Sequence, residues 1–199
     1  SNQFDRSNEH INWLKNNFEN VTSHEINLTE VYDSFSNVLP KSNQDDLSMA
    51  NLRSRIRMSN LYVFASNKKY LVAGTGNKVE DFGVGFYTKY GDGGVDISPI
   101  ADLLKSEVFK LADHLGIVSS IQKAKPTDGL WDDDRSDEDQ LGATYEELEW
   151  AMNYLELNSQ NNLSERQKKV LEIYSGHHQT NLHKMNPIPV CEIPESLKS

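Results

Sequence analysis

The sequence is poor in cysteine, in long apolar runs and in positive charge. Its single cysteine, Cys191, cannot form a disulfide within the chain, which is typical of a reducing compartment, so we expect a cytoplasmic protein. No stretch approaches the roughly 18 consecutive apolar residues of a membrane-spanning helix. With 30 acidic and 20 basic residues the formal net charge is −10, which argues against broad binding to nucleic acid or an anionic membrane.

The 199 residues, 37% of them hydrophobic, are enough for one domain with a core. Helical periodicity alternates with two short apolar segments, 21–28 and 70–73, which predict strands. We therefore expect an α/β fold, a Rossmann-like parallel sheet with helices on both faces and ligands beyond the carboxyl ends of the strands. The predicted helices are one capped by Ser7 and stopped at Asn20, one capped by Thr29, one from about Leu47 to Ala65, one around Leu111, one capped by Thr144 and one from Ser164 to Tyr174.

The densest chemical signal directly follows the second apolar segment. Gly74 to Glu80 reads Gly-Thr-Gly-Asn-Lys-Val-Glu, in which small residues let backbone N–H groups approach a phosphate or nucleotide. Glu80 is well placed to hold a divalent cation. A plain strand-to-helix turn, with Thr75 or Asn77 as the helix cap, explains the same residues equally well.

A second polar segment, Thr88 to Asp96, places charged and aromatic residues among three glycines. Such a composition suits a loop that folds against a polar ligand, and Lys89 is a candidate partner for a phosphate or a carboxylate. Asp-Gly-Gly is also ordinary turn chemistry and lysine is usually solvated, so a flexible surface turn is the alternative.

Together with Arg55-Ile56-Arg57-Met58, these two segments resemble the ammonia-dependent NAD synthetases in order and spacing. These enzymes are ATP pyrophosphatases with an adenine nucleotide alpha-hydrolase-like fold. The resemblance covers nearly the whole chain. It continues through Pro99-Ile100, Lys105, Lys125 to Trp131, Asp137-Glu138, Leu141-Gly142, Tyr145 and His183-Lys184.

The resemblance implies a role for each matching residue. The residues that would bind deamido-NAD are Arg55, Lys89, Asp96, His183 and Lys184. Those that would bind ATP are Thr75, Lys105 and Thr127. Glu80 would bind magnesium, and Asp96 and Lys105 would take part in catalysis.

The implied reaction is a ligation in two steps. ATP adenylates the nicotinate carboxylate of deamido-NAD with release of pyrophosphate, and ammonia then displaces AMP to give NAD. Free ammonia is the expected donor, because Cys191 lies in the wrong context for a glutaminase nucleophile. The family is also homodimeric, with deamido-NAD bound at the subunit interface.

Two departures from the family pattern stand out. The family's first strand and its Ser-Gly-Gly-x-Asp-Ser loop, which grips the ATP pyrophosphate, are expected before the first helix but are not in the sequence, so we interpret 1–199 as a synthetase domain without that segment and expect the chain alone to be a poor catalyst. The spacing from Glu80 to Lys89 is also one residue longer than usual.

Two other functions fit the same residues. One is a different amide-forming ATP pyrophosphatase, such as a relative of GMP synthetase, and the other is a non-catalytic nucleotide-binding or dimerisation module.

The acidic run 132–139 is expected to be a solvated loop, which by resemblance covers the site. His177, His178 and His183 lack the partners of a transition-metal site.

Overall fold

The computed structural model describes residues 2–131, 135–157 and 162–198. These ranges contain eight α-helices: α1 Asn2–Asn17, α2 Thr29–Val38, α3 Asp46–Lys68, α4 Lys105–His114, α5 Ser119–Gln122, α6 Asp137–Leu141, α7 Tyr145–Glu156 and α8 Glu165–Met185. A π-helical turn spans Val79–Val84, and short 3₁₀ turns span Lys41–Asn43 and Glu195–Leu197. In the described ranges no helix combines the length and the apolar character needed to cross a membrane.

Side-chain caps fix the start of the helices that frame the site. The Thr144 hydroxyl accepts a hydrogen bond from Glu147 N at 3.2 Å, and the Glu147 carboxylate accepts one from Thr144 N at 3.0 Å. Ser164 and Gln167 cap α8 in the same reciprocal way. The predicted starts at Thr144 and Ser164 are therefore confirmed, as is the long helix after residue 46.

Three of the predicted boundaries nearer the N-terminus are wrong. Ser7 lies inside α1, which begins at Asn2 and ends at Asn17, before Asn20. Thr29 is the first residue of α2 rather than its cap, and its backbone N–H donates to the Asn27 side chain at 2.9 Å. In a polar sequence many residues can cap a helix, so residue type alone does not identify the one with the required backbone angles.

The predicted parallel sheet is the feature that differs most from the structure. Within the described residues, segment 21–28 is not a strand, and the Tyr70 to Ala73 segment contributes one parallel bridge, Ala73 to Ile97. Its ladder is short: Ile97 N donates to Val72 O at 3.2 Å and Gly74 N to Ile97 O at 2.7 Å. Tyr70 is 69% exposed, because this segment has one short partner rather than strands on both sides.

The core lies where α7 and α8 pack on the π-helical turn. Leu148 and Val79 are fully buried, and Val84 and Val170 are 1% exposed. These side chains form one cluster with Leu141, Ala143, Ala151, Met152 and Tyr174. The π-helical turn is therefore held from two sides, which fixes Glu80 at its start.

Candidate active site

The turn that carries Glu80 is built by its neighbours. The buried Asn77 side chain accepts hydrogen bonds from Val79 N at 3.0 Å and Glu80 N at 3.2 Å, and Asn77 N donates to the Glu80 carboxylate at 3.2 Å. Asn77 is thus the cap that one interpretation of the sequence expected. At the other end, Gly85 has a φ of 64° and its N–H donates to Glu80 O, which closes the turn.

The π-helical turn lies in the stretch where we expect the spacing from Glu80 to Lys89 to be one residue longer than is usual in the family. A π-helical turn winds an additional residue compared with an α-helical one. An extra residue between Glu80 and Lys89 would therefore be accommodated inside Val79–Val84. Glu80 and Lys89 keep well-defined partners on either side of it.

Glu80 and Lys105 form the charged centre of the site. Lys105 Nζ lies 2.9 Å from Glu80 Oε1, and the two side chains are only 20% and 13% exposed. Tyr145 Oη donates to the same carboxylate oxygen at 2.5 Å, and Lys105 Nζ lies 4.7 Å from the centre of the Tyr145 ring. The sequence places these three residues 25 and 40 positions apart, and α4 and α7 bring them together.

Asp137 extends this centre. It is 7% exposed, Oδ2 lies 3.2 Å from Tyr145 Oη, and Oδ1 is buried without a hydrogen-bond partner among the described residues. Burial, followed by the nearby charge of Glu80, raises the pKa of Asp137 to about 6.

The expected solvated loop is wrong for the second half of the acidic run. Ser136 caps α6, its hydroxyl accepting from Asp139 N at 3.2 Å, and this helix turns Asp137 inward. Residues 132–134 lie outside the described ranges.

We expect Asp137→Asn to stabilise the metal-free protein at high pH but not at low pH. Because the folded-state pKa is raised, the aspartate contributes stability below pH 3.8, and this contribution is lost as the pH rises through about 6. Asparagine removes the buried charge, so the free energy of unfolding at pH 8 rises by about 1–2 kcal/mol. This is less than the free-energy equivalent of the whole pKa shift, because solvent screens part of the charge. Urea unfolding at pH 4 and pH 8 measures it, with the exposed Asp113→Asn as control. An equal change at both pH values would contradict this.

A second cluster gathers the residues predicted to bind deamido-NAD. Arg55 Nε on α3 donates to Lys89 O at 3.3 Å, and Lys89 Nζ donates to His183 O on α8 at 2.5 Å. Lys184 Nζ donates to Gly85 O at 2.8 Å and to Tyr87 O at 2.7 Å. Four of the five predicted residues are thus brought together from three parts of the chain.

Charges inside this cluster are partly withdrawn from water. Burial lowers the pKa of Lys184, while Asp92 acts in the opposite direction. Burial, followed by the charges of Glu80 and Asp92, raises the pKa of Asp81 to about 6. Asp81 packs so closely on Gly76 that a Cβ there would lie 2.0 Å from its carboxylate oxygen. Asp81 and Asp92 line one cavity, which places the first glycine-rich segment next to the second.

Asp96, the fifth residue predicted for deamido-NAD, lies elsewhere. Tyr62 Oη donates to its Oδ1 at 3.1 Å and Val72 N to its Oδ2 at 2.8 Å. Both oxygens therefore take part in holding the short bridge between Ala73 and Ile97 in place.

Thr75 and Thr127, two of the residues predicted to bind ATP, line one cavity of about 420 Å³ between α3 and the two glycine-rich segments. Arg57, Met58, Gly91 and Asp128 line it as well. Thr127 Oγ1 donates to Arg135 O at 3.3 Å and accepts from Gly129 N at 3.3 Å. Lys105 lines a neighbouring cavity of about 530 Å³ together with Thr127 and Asp137. The three predicted ATP residues thus border two cavities that share Thr127 in their lining.

The roles of Asp137 and Tyr145 in the site were not predicted from the sequence. The Asp-Glu of the acidic run and Tyr145 were matched to the family but given no role. The usable signal was the pattern Ser136-Asp137-Glu138-Asp139, a serine with an acid three positions later, which marks a helix start rather than a solvated run. His178 was also missed as a support: its Nδ1 lies 2.7 Å from Gly83 O.

Comparison with known proteins identifies the family of the chain. The family model described as NAD synthase matches residues 2–187. The NH(3)-dependent NAD(+) synthetase of Alkaliphilus metalliredigens is 39% identical over 181 residues, which are 88% of this chain and 66% of that protein. The one from Methanococcoides burtonii is 45% identical over 125 residues, 62% of this chain and 47% of that protein. The chain thus spans about half to two thirds of the length of these curated relatives.

Two solved structures are similar to the chain. NMN synthetase from Francisella tularensis has a TM-score of 0.80 and 29% identity, covering 96% of this chain and 73% of that one. The NH3-dependent NAD synthetase from Campylobacter jejuni, in complex with the nitrate ion, has a TM-score of 0.66 and 26% identity, covering 84% and 64%. Since the family model covers nearly the whole sequence, the chain belongs to the NAD synthase family.

Proposed function

We propose that this chain serves the ATP-dependent amidation of deamido-NAD by ammonia, the last step of NAD formation. The observation that carries the proposal is the cluster in which Arg55, Lys89, His183 and Lys184 meet. In a chain with a net charge of −10, such a local group of basic residues is what the binding of a dinucleotide anion requires. Membership of the NAD synthase family supports the same substrate class.

The chemistry needs a carboxylate to become an electrophile. A nicotinate oxygen attacks the α-phosphorus of ATP, the bond to the bridging oxygen breaks, and pyrophosphate leaves. Ammonia then attacks the acyl carbon, loses a proton and expels AMP. Both steps bring anions together, so a fixed ammonium such as that of Lys105 stabilises the charge that develops. Its contact with Glu80 and the Tyr145 ring fixes its position.

Magnesium belongs to this proposal, and the residues present fit it. Within the described ranges no group of three or more His, Cys, Asp or Glu side chains forms a metal cage. Mg²⁺ instead usually takes one or two carboxylates together with substrate phosphates. Glu80 and the unpartnered oxygen of Asp137 provide such a pair and would hold the ion. When bound, Mg²⁺ neutralises phosphate charge and favours the departure of pyrophosphate.

The remaining roles are assigned on the same basis. Thr75, Thr127 and Lys105 border the space we assign to ATP. Asp96, although predicted to act on substrate, is proposed to support the site by fixing the segment that leads into Gly74. We also propose, from family membership, that the protein acts as a cytoplasmic homodimer.

Amidation of the mononucleotide is a second candidate. The protein named NMN synthetase has the higher TM-score of the two structural neighbours, 0.80 against 0.66. The basic cluster does not itself distinguish one nucleotide from two. The curated relatives, at 39% and 45% identity, are NAD synthetases, and we therefore place the dinucleotide first.

Calorimetric titration distinguishes these functions. The proposal predicts that deamido-NAD binds at least 10-fold more tightly than NAD, because only the acid carries the carboxylate that a basic site holds. Nicotinate mononucleotide is titrated alongside, and a tighter complex with it than with deamido-NAD would favour the second candidate. Equal affinity for deamido-NAD and NAD, or binding of neither, would contradict both. Release of AMP in the presence of ATP, Mg²⁺ and ammonia measures turnover in the same samples.

A further inference from the structure

Tyr145 is the residue at which the charged groups of the site meet. Its hydroxyl lies 2.5 Å from Glu80 Oε1 and 3.2 Å from Asp137 Oδ2, and its ring lies beneath the ammonium of Lys105 at 4.7 Å. The side chain is 6% exposed. One rigid aromatic group thus contacts two carboxylates and one cation.

The backbone holds this ring in place from both sides. Tyr145 is the first residue of α7, and its N–H donates to the Glu138 carboxylate on α6 at 2.9 Å. The capping box of Thr144 and Glu147 fixes the same turn. Because α6 also carries Asp137, the short connection between α6 and α7 sets the distance between Asp137 and the Tyr145 hydroxyl.

We propose that Tyr145 is a positioning residue for ATP and its metal: the hydroxyl aims the Glu80 carboxylate, and the ring face holds Lys105. The catalytic part of this inference rests on the proposed function. A phenol hydroxyl has a single proton, and the shorter contact is that to Glu80, so the proton lies on the Glu80 side. Asp137 Oδ2 then faces the phenol oxygen at 3.2 Å, and Oδ1, which is buried without a hydrogen-bond partner among the described residues, is the atom we assign to the cation.

Tyr145 contacts Glu80 through its hydroxyl and Lys105 through its ring, and one substitution can remove the first contact without the second. Tyr145→Phe removes the hydrogen bonding of the hydroxyl but keeps the ring under Lys105 and the buried apolar surface. Loss of a partner that orients a metal ligand typically costs about 10-fold to 100-fold in metal affinity or activity. The deamido-NAD cluster of Lys89 and His183 has no contact with Tyr145 in this network and keeps its own partners.

The test compares Tyr145→Phe with Tyr154→Phe; Tyr154 lies on the same helix, with its ring centre 5.3 Å from that of Trp150. Proton NMR should show an exchange-protected hydroxyl signal in the wild-type chain and in Tyr154→Phe, and it should vanish in Tyr145→Phe. Calorimetry should give Tyr145→Phe a Kd for ATP with Mg²⁺ raised about 10-fold and an unchanged Kd for deamido-NAD.

Three results would overturn the inference. They are a missing signal in the wild type, a signal that survives in Tyr145→Phe, and an unchanged Kd for ATP. An equal loss for both ligands would show a structural role instead. If the wild type binds neither nucleotide, the proposed function fails, while the hydroxyl signal still decides whether Tyr145 holds Glu80.

Discussion

Lys105→Ala raises the Kd for ATP, measured with Mg²⁺ present, by about 10-fold to 100-fold, because a contact between charged groups contributes about 1.5–3 kcal/mol. The ammonium is fixed by Glu80 at 2.9 Å and by the Tyr145 ring. Such a preorganised ammonium stabilises the transition state most where negative charge develops. The rate of AMP release by Lys105→Ala therefore falls by roughly 100-fold or more. Calorimetry and an AMP assay provide the two measurements.

The matched control lies on the same helix. Lys110 is an exposed lysine of α4, and Lys110→Ala should leave the Kd for ATP unchanged. Deamido-NAD affinity should stay the same in both variants, because Arg55 and Lys89 form a separate cluster. If the Kd for ATP rises equally in both lysine variants, the effect is due to the net charge in general, and the assignment of Lys105 to the ATP site is wrong.

Local sequence specifies the capped helix starts but not the sheet. Thr144 and Ser164 were predictable because a capping box is encoded within four residues. Segment 70–73 was predicted as a strand, but its neighbours decide whether an apolar segment becomes one. Among the described residues it forms one bridge, between Ala73 and Ile97. Segment 21–28 has the right composition and is not a strand in the described residues.

The site follows the same division. Arg55, Lys89, His183 and Lys184 were predicted from motifs, and the structure brings them together; their role in binding deamido-NAD stays a prediction. Asp137 could not be predicted as a buried residue, since its position depends on how α6 turns after Ser136. A run of acidic residues normally stays in water, and here a helix cap outweighs that tendency.

The sequence leads us to expect a longer spacing between Glu80 and Lys89 than is usual in the family, but it does not predict the backbone conformation of this stretch. An extra residue in this stretch can enlarge a loop, shift the register of Lys89 or widen a helical turn. Burial of Val79 and Val84 on α7 and α8 favours the last outcome, because it keeps both apolar side chains in the core. Packing, which is not local, therefore selects the π-helical turn.

Arg55→Ala should raise the Kd for deamido-NAD by about 10-fold to 100-fold, because it removes a charged partner from the basic cluster. Arg55 is exposed on α3 and reaches Lys89 O at 3.3 Å. The substitution buries no new group, so the free energy of unfolding should change by no more than about 0.5 kcal/mol. Calorimetric titration with deamido-NAD and with ATP separates the two sites.

Two further variants define what Arg55 contributes. Arg55→Lys keeps the charge but loses the planar guanidinium, so a Kd between those of wild type and Arg55→Ala indicates a directional contact with the ligand. Lys68→Ala removes an exposed charge from the end of the same helix and should bind as the wild type does. An Arg55→Ala protein that binds deamido-NAD normally would place the substrate elsewhere. If Arg55→Ala loses affinity for deamido-NAD but keeps its affinity for ATP, the basic cluster recognises the dinucleotide independently of the centre at Glu80.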